Sequence, residues 1–434
     1  MSARGLADWL SYLEQLHPST IDMGLERVRE VAQRLGLGRP ARKVITVTGT
    51  NGKGSSCAFI ASLLQAQGLS VGVYASPHLL RYNERVRIGG LEADDDALCE
   101  AFEAVEQARE NTSLTYFEMG TLAALWLFQR AGLDAAVLEV GLGGRLDAVN
   151  LIDADVAVIT NIGLDHAEWL GDDRESVGFE KAGIFRRNVP AVCGDLEPPM
   201  SVLGQAEKLA VPLRLRGRDY DLASGVAGWH WRGVDAAGKP LELHDLPLLS
   251  LPMENAALAL QVYALLDLPW QPETLAKALQ QTRISGRFDR RAIRWNGRTL
   301  NLLLDVAHNP HAASYLASYL EQQRLTGRRL AVFGLLADKD LAGILDILLP
   351  HVSEWAVAPL ASPRSRPAAE LHAALAERKA AVSAHASLVQ ALESQCEKAG
   401  EQDEILLFGS FYCVAEALQW LATRTEEAGD GTAG

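Results

Sequence analysis

No stretch of this chain approaches the ~18 consecutive apolar residues that a membrane-crossing helix requires, and Met1 to Trp9 has no apolar core of the kind a secretory signal carries. A cytoplasmic protein is expected. Cysteine is scarce: Cys57, Cys99, Cys193, Cys396 and Cys413 are five in number, and none is spaced C-x-x-C. An odd, scattered set argues against a disulfide framework and against a thiolate metal site. Positive charge is in deficit, with 41 Lys and Arg against 55 Asp and Glu and a net charge of −14. The arginines are dispersed, so no nucleic-acid or membrane partner is expected. An anionic small substrate must be met by a local group of donors. No internal repeat is present.

What the chain does have is enough apolar material for two cores: 48% of its 434 residues are hydrophobic, and single cores stop growing at about 250 to 300 residues. From Lys43 onward short β-branched runs alternate with helical stretches, which implies the α/β class with a parallel sheet under helices. Val44–Thr48, Val71–Tyr74, Ala135–Val140 and Val156–Thr160 read as buried strands. Ahead of them, 6–16 and 24–35 read as two amphipathic helices. A second alternation follows Arg283–Arg291, with strands at Asn301–Asp305, Leu330–Gly334, Trp355–Ala358 and Glu404–Phe408. The expected domains are therefore 1–288 and 289–434. The stretch 201–245 is uninformative, and the Glu-, Gly- and Ala-rich tail from Thr425 is expected to be irregular.

The strongest local signal is Val47-Thr-Gly-Thr-Asn-Gly-Lys-Gly-Ser-Ser56, between a strand and a helical segment expected at 57–67. Glycines let backbone N–H groups turn inward around phosphate oxygens, the helix N-terminus favours negative charge, and a lysine reaches the terminal phosphates. Gly49, Gly52, Gly54 and Lys53 supply these parts, although the spacing is not G-x-x-x-x-G-K-[ST]. The plainer alternative is a Gly-rich turn with a solvated lysine.

Glu139 lies inside the apolar run Ala135–Val140. A carboxylate there is costly unless it is paired or binds a cation; a Mg²⁺ ligand and a buried pair with Arg145 are both open. Asp165, His166 and Glu168 sit in the loop after the next strand, where ligands gather in parallel sheets. His166 is either a metal ligand or a surface residue. Lys181 stands amid small and apolar residues, so burial should lower its pKa, leaving it modified or ion-paired. In the second half, Asp305, His308 and Asn309 end a strand, as a site or as an Asn-Pro turn. Asp22 has the plain alternative of a helix N-cap.

Together these residues resemble the Mur ligase superfamily and, within it, the folylpolyglutamate synthases. The motifs are Thr48–Ser55, Ala75–Leu79, Tyr116–Gly120, Leu138–Asp147, Leu164–His166, Glu180–Ile184, Gly286–Phe288 and Asp305–Pro310, in order along nearly the whole chain. Asp22-Met-Gly-Leu25 brings the chain nearest to the proteobacterial bifunctional dihydrofolate/folylpolyglutamate synthase type. The resemblance implies a P-loop-containing N-terminal domain and a smaller Rossmann-like C-terminal α/β domain. It implies that Thr50, Asn51, Gly52, Lys53, Gly54 and Ser55 hold ATP phosphates, with Asn255, Arg287 and Asp305 also contacting ATP. Ser76, Glu139 and His166 would bind Mg²⁺, and Lys181 would be carbamylated. Lys53, Lys181 and His308 would serve catalysis. Asp22, Met23, Gly24 and Leu25, then Thr115, Tyr116, Phe117 and Glu118, then Leu146, Asp147 and Ala148 match the pterin-substrate region.

The expected reaction is acyl activation by ATP followed by attack of the L-glutamate amine, with dihydropteroate or a reduced folate as acceptor. A monomer is expected. The rivals are a folylpolyglutamate synthase alone, a cell-wall Mur ligase, and a P-loop regulatory ATPase.

Overall fold

The computed structural model describes residues 4–19, 21–225, 228–323 and 325–429, with 424–429 as backbone only. Two compact units divide between Arg283 and Ile284, inside the Arg283–Arg291 segment that precedes the second alternation. No helix among the described residues is long and apolar enough to cross a membrane.

The first unit is built on an eight-stranded sheet: β1 (Ala41–Thr48), β2 (Val71–Tyr74), β3 (Val86–Ile88), β4 (Leu91–Glu92), β5 (Leu133–Glu139), β6 (Val156–Ile159), β7 (Ala191–Cys193) and β8 (Leu213–Leu215), in the order β4-β3-β2-β5-β1-β6-β7-β8. The strands from β2 to β8 pair in parallel, and β3 and β4 pair antiparallel at one edge. Burial on both faces explains why β1, β5 and β6 read as continuous apolar runs. The helices Leu6–Leu13 and Glu26–Arg34 take the expected N-terminal places, and Trp9 packs near Phe102 in the core beneath them.

The stretch that sequence could not read holds the helix Met200–Lys208 and an antiparallel sheet of β9 (Asp221–Ser224), β10 (Trp229–Val234) and β11 (Pro240–Leu246). Trp229 and Trp231 are buried, and Trp231 Nε1 donates to Ala257 O at 2.9 Å, tying this sheet to the helix Met253–Ala264.

The second unit carries a six-stranded sheet of β12 (Asp289–Trp295), β13 (Arg298–Leu304), β14 (Arg329–Phe333), β15 (Glu354–Val357), β16 (Val382–Ala384) and β17 (Glu404–Phe408), ordered β12-β13-β17-β14-β15-β16. All pairs are parallel except β12 with β13. Phe333, Trp355 and Phe408 form an aromatic cluster in its core. The expectation of an irregular tail from Thr425 is corrected: the last helix runs Phe411–Gly429, because Thr-Glu-Glu-Ala is compatible with continuing the helix and nothing breaks it before Gly429. Residues 430–434 lie outside the described set.

Candidate active site

β5 enters the sheet between β2 and β1 although it follows both in sequence, so the strand order reverses there. Ligands bind at the carboxyl ends of strands at such a point. Val47 pairs with both Glu139 and Val158, which sets the end of β1, the end of β5 and the loop after β6 side by side.

The turn after β1 requires its glycines. At Gly49, with φ +151°, an added Cβ would lie 1.7 Å from Thr160 Oγ1. At Gly52, with φ +81°, it would lie 2.8 Å from the Asn255 amide. The loop after β6 supports the turn: Thr50 N donates to Asn161 O at 3.0 Å, Asn51 N to Asn161 Oδ1 at 3.0 Å, and Thr160 Oγ1 to Asn51 O at 2.6 Å. Thr50 Oγ1 exchanges hydrogen bonds with Gly163 at 2.9 Å in each direction. Asn255 Nδ2 donates to Ser55 Oγ at 2.7 Å, and Ser55 Oγ to Gly52 O at 3.1 Å. The helix begins at Lys53 rather than at the expected Cys57, because left-handed Gly52 lets the turn wind directly into it. Lys53 Nζ lies over the turn, donating to Gly49 O at 3.0 Å and Thr50 O at 3.3 Å.

Glu139 is 5% exposed, and its carboxylate oxygens lie 3.8 and 3.9 Å from where a Cβ on Gly54 would be. Its Oε2 accepts from Ser76 N at 3.2 Å, so Glu139 and Ser76 sit together beside the turn. The alternative partner, Arg145, forks onto Glu180 at 2.8 and 3.1 Å. His166 is exposed, with a left-handed backbone at the start of the short helix Ala167–Leu170. Among the described residues no three His, Cys, Asp or Glu side chains are gathered as a metal cage.

Lys181 is 2% exposed. Burial pushes its amine down to about 7, with the charge of Lys53 acting in the same direction and Asp165 opposing. Asp147 is also buried, and burial raises its carboxyl to about 6 against hydrogen bonds from Leu142 N and Val149 N, each at 2.9 Å.

Around these strand ends lie residues matched to the pterin region. Thr115 and Glu118 close a capping box at the start of the helix Tyr116–Ala131, with Glu118 Oε2 accepting from Thr115 N at 2.8 Å. Glu118 is buried, and its other oxygen accepts from Arg27 at 2.9 Å. Arg27 also pairs with Asp22 at 2.7 Å. Asp22 is not a cap, since Leu25 caps the helix Glu26–Arg34. Phe117 presses on Gly141, where a Cβ would fall 2.7 Å from the ring, and Met23 Cε reaches within 3.7 Å of the Cβ position of Gly143. Tyr116 stacks edge-on against Tyr82, and Arg85 lies over both rings.

In the second unit, Asp305 is 4% exposed and accepts from Phe288 N at 3.0 Å and Ala307 N at 2.8 Å. Burial raises its carboxyl and nearby Arg287 opposes the rise. Arg287 and His308 both face Phe411. Asn309 caps the helix Pro310–Gln322, accepting from Ala312 N at 2.9 Å, so the Asn-Pro pair is a helix start.

The Mur ligase middle domain matches residues 47–193 and the Mur ligase glutamate ligase domain residues 286–411. A dihydrofolate synthase/folylpolyglutamate synthase of Escherichia coli is 45% identical, covering 98% of this chain and 97% of that protein. The chain belongs to the dihydrofolate synthase/folylpolyglutamate synthase family of Mur ligases. The E. coli FolC structure in complex with DHPP and ADP superposes on this family member with a TM-score of 0.91 at 45% identity, covering 98% of this chain and 99% of that one. A bifunctional folylpolyglutamate synthase/dihydrofolate synthase from Yersinia pestis, complexed with AMPPNP and Mn ion, superposes with a TM-score of 0.88 at 45% identity, covering 96% and 98%.

Sequence reasoning about this Mur ligase passed over Asn161, which braces the Gly49–Ser55 turn, and Arg27, which joins two of the matched segments. Asn161 lies in the loop after β6 and carries no chemical signature of its own. Arg27 follows Asp22-Met-Gly-Leu25 by two residues and read as one polar position on an amphipathic helix.

Proposed function

We propose that this chain is an ATP-dependent amide ligase that adds L-glutamate to dihydropteroate, forming dihydrofolate, and to reduced folates, forming folylpolyglutamates. The observation that carries the reading is the convergence of the Gly49–Ser55 turn with buried Glu139 at the carboxyl ends of β1 and β5. The relatives support it: one E. coli structure holds DHPP and ADP, and another family structure holds Mn, AMPPNP and L-glutamate.

In this reading the backbone of Thr50 to Ser55 and the Lys53 ammonium hold ATP phosphates, with Asn255 bracing Ser55. The acceptor carboxylate attacks the γ-phosphorus and ADP leaves. The amine of glutamate then attacks the acyl phosphate carbon, inorganic phosphate leaves, and an amide remains. The protein contributes position and electrostatics. Mg²⁺ is commonly held by one or two carboxylates plus substrate phosphates, and Glu139 beside Ser76 and the turn fits that donor set, with His166 assigned as a further ligand. Such a cation would neutralise phosphate charge. Lys181 is assigned as a carbamate: its neutral amine attacks CO₂, an N–C bond forms, and a proton is released. By family resemblance Arg287 and Asp305 are assigned to ATP binding and His308 to catalysis. We read the enzyme as a cytoplasmic monomer.

Purified protein with ATP, Mg²⁺ and glutamate should form dihydrofolate from dihydropteroate and extend tetrahydrofolate. A UDP-muramoyl acceptor should be inert, and ADP release should require both glutamate and a pterin acceptor. Extension of tetrahydrofolate without any dihydrofolate formation would leave a folylpolyglutamate synthase alone. Glutamate-independent ADP release would favour the regulatory ATPase.

A further inference from the structure

We propose that Arg27 is the positioning residue for the pterin-bearing acceptor, one guanidinium that locks the Asp22–Leu25 segment onto the start of the helix Tyr116–Ala131. The inference rests on the reading of these two segments as the acceptor region. Arg27 Nη1 lies 2.7 Å from Asp22 Oδ2. Its Nη2 donates at 2.9 Å both to Glu118 Oε1 and to the backbone carbonyl of Asp22. The two carboxylates are 96 residues apart in sequence, and this one planar group joins them.

The two acids are not equivalent. Glu118 is buried, and both of its oxygens are committed, one to Thr115 N and one to Arg27. It is an anchor rather than a substrate contact. Asp22 keeps a side-chain exposure of 41%; among the described residues its Oδ2 is the oxygen engaged, by Arg27 and, at 3.5 Å, by His17 Nε2. Its Oδ1 remains to face an acceptor, and a fixed carboxylate oxygen accepts from the adjacent ring N–H and amino N–H donors that a pterin presents. Met23, on the same segment, lies over Gly143, so moving the segment also moves an apolar wall.

Arg27 Nε is buried with no hydrogen-bond partner among the described residues. A buried N–H without a partner costs stability. The side chain is held instead by its two outer nitrogens, which pair Glu118 and Asp22, and an apolar residue in its place would leave the buried Glu118 carboxylate without a cation.

The experiment measures kcat and the KM values for dihydropteroate, ATP and glutamate in the full-length enzyme carrying Arg27→Ala, Arg27→Lys, Asp22→Ala or Phe117→Ala. Arg27→Ala should raise the KM for dihydropteroate about 10- to 100-fold, the scale of a misplaced binding group. Its KM for ATP should stay within about twofold of wild type. Arg27→Lys should recover part of the loss, since an ammonium can hold one carboxylate but not fork across two. The inference is overturned if Arg27→Ala leaves the dihydropteroate KM unchanged while Asp22→Ala raises it, or if Arg27→Ala lowers kcat alone with every KM intact. Unchanged dihydropteroate KM in both Asp22→Ala and Phe117→Ala would instead remove the acceptor region itself, and this inference with it. Should Arg27→Ala fail to fold, Arg27→Gln, which keeps a donor for Glu118 and loses the charge, is read by the same criteria.

Discussion

Asn255 Nδ2 donates to Ser55 Oγ at 2.7 Å across 200 residues of chain. The same amide stands where a side chain on Gly52 would have to go, 2.8 Å from the ideal Cβ, and Gly52 has φ +81°. Gly52→Ala should therefore destabilise the protein by about 1–2 kcal/mol from left-handed backbone alone, and raise the KM for ATP further. Asn255→Ala removes a donor but opens space, so the double variant should be less impaired than the sum of the singles. Urea unfolding and ATP kinetics on all three variants check this; simple additivity would deny the contact.

Lys53→Ala should lower turnover by about two to three orders of magnitude, the usual scale for losing one preorganised charge at a transferring group. The urea midpoint should stay near wild type, because the hydrogen bonds that Nζ makes among the described residues go to the Gly49 and Thr50 carbonyls of its own turn. Both glutamate additions should fall together if one site performs them. Retention of one activity would show separate sites, and near wild-type ADP formation would end the phosphate-loop assignment.

For Lys181 the direction of the pH effect follows from its amine being pushed down to about 7 by burial. Below that value the amine gains a proton and cannot attack CO₂, so carbamate should be lost as pH falls from about 8 to 6. Activity of CO₂-depleted enzyme should recover with bicarbonate more fully at pH 8 than at pH 6, and Lys181→Ala should not respond. In the unmodified protein the unfolded chain holds a proton that the folded chain has released between about pH 7 and the ordinary lysine value, so stability rises with pH across that window. An unmodified amine in a bicarbonate-equilibrated crystal, or full activity of Lys181→Ala, would refute the carbamate.

Asp147 shifts the other way. Its carboxyl is raised to about 6 by burial, so between about pH 4 and 6 the folded chain binds more protons than the unfolded one. Its contribution to stability is therefore greatest at low pH and is lost as pH rises through about 6. Asp147→Asn removes that titration, so the difference in unfolding free energy between wild type and variant should change across pH 4 to 6 and level off above it. Denaturant titrations at pH 4.5, 5.5 and 7 read the difference directly; a constant offset would mean that Asp147 is charged throughout.

Sequence alone determined the α/β class, the Gly-rich turn after β1 and the places of β1, β2, β5, β6, β13, β14, β15 and β17. Strands buried on both faces must be apolar throughout, and glycines with positive φ have few substitutes, so these features are written locally. Neighbouring residues could not reveal that β5 inserts between β2 and β1 and thereby brings Glu139 to Gly54, because strand order is settled by packing between distant segments. The same holds for Arg145, whose choice of Glu180 over Glu139 depends on where the helix Arg174–Ala182 lies. The 201–245 stretch stayed unreadable because its small antiparallel sheet has exposed faces and gains its burial from the helix Met253–Ala264. Arg27 is the plainest case: its residue type says only that a cation is present, and the tertiary structure decides that it stands between two carboxylates, since only folding brings Glu118 to the start of the helix that carries it.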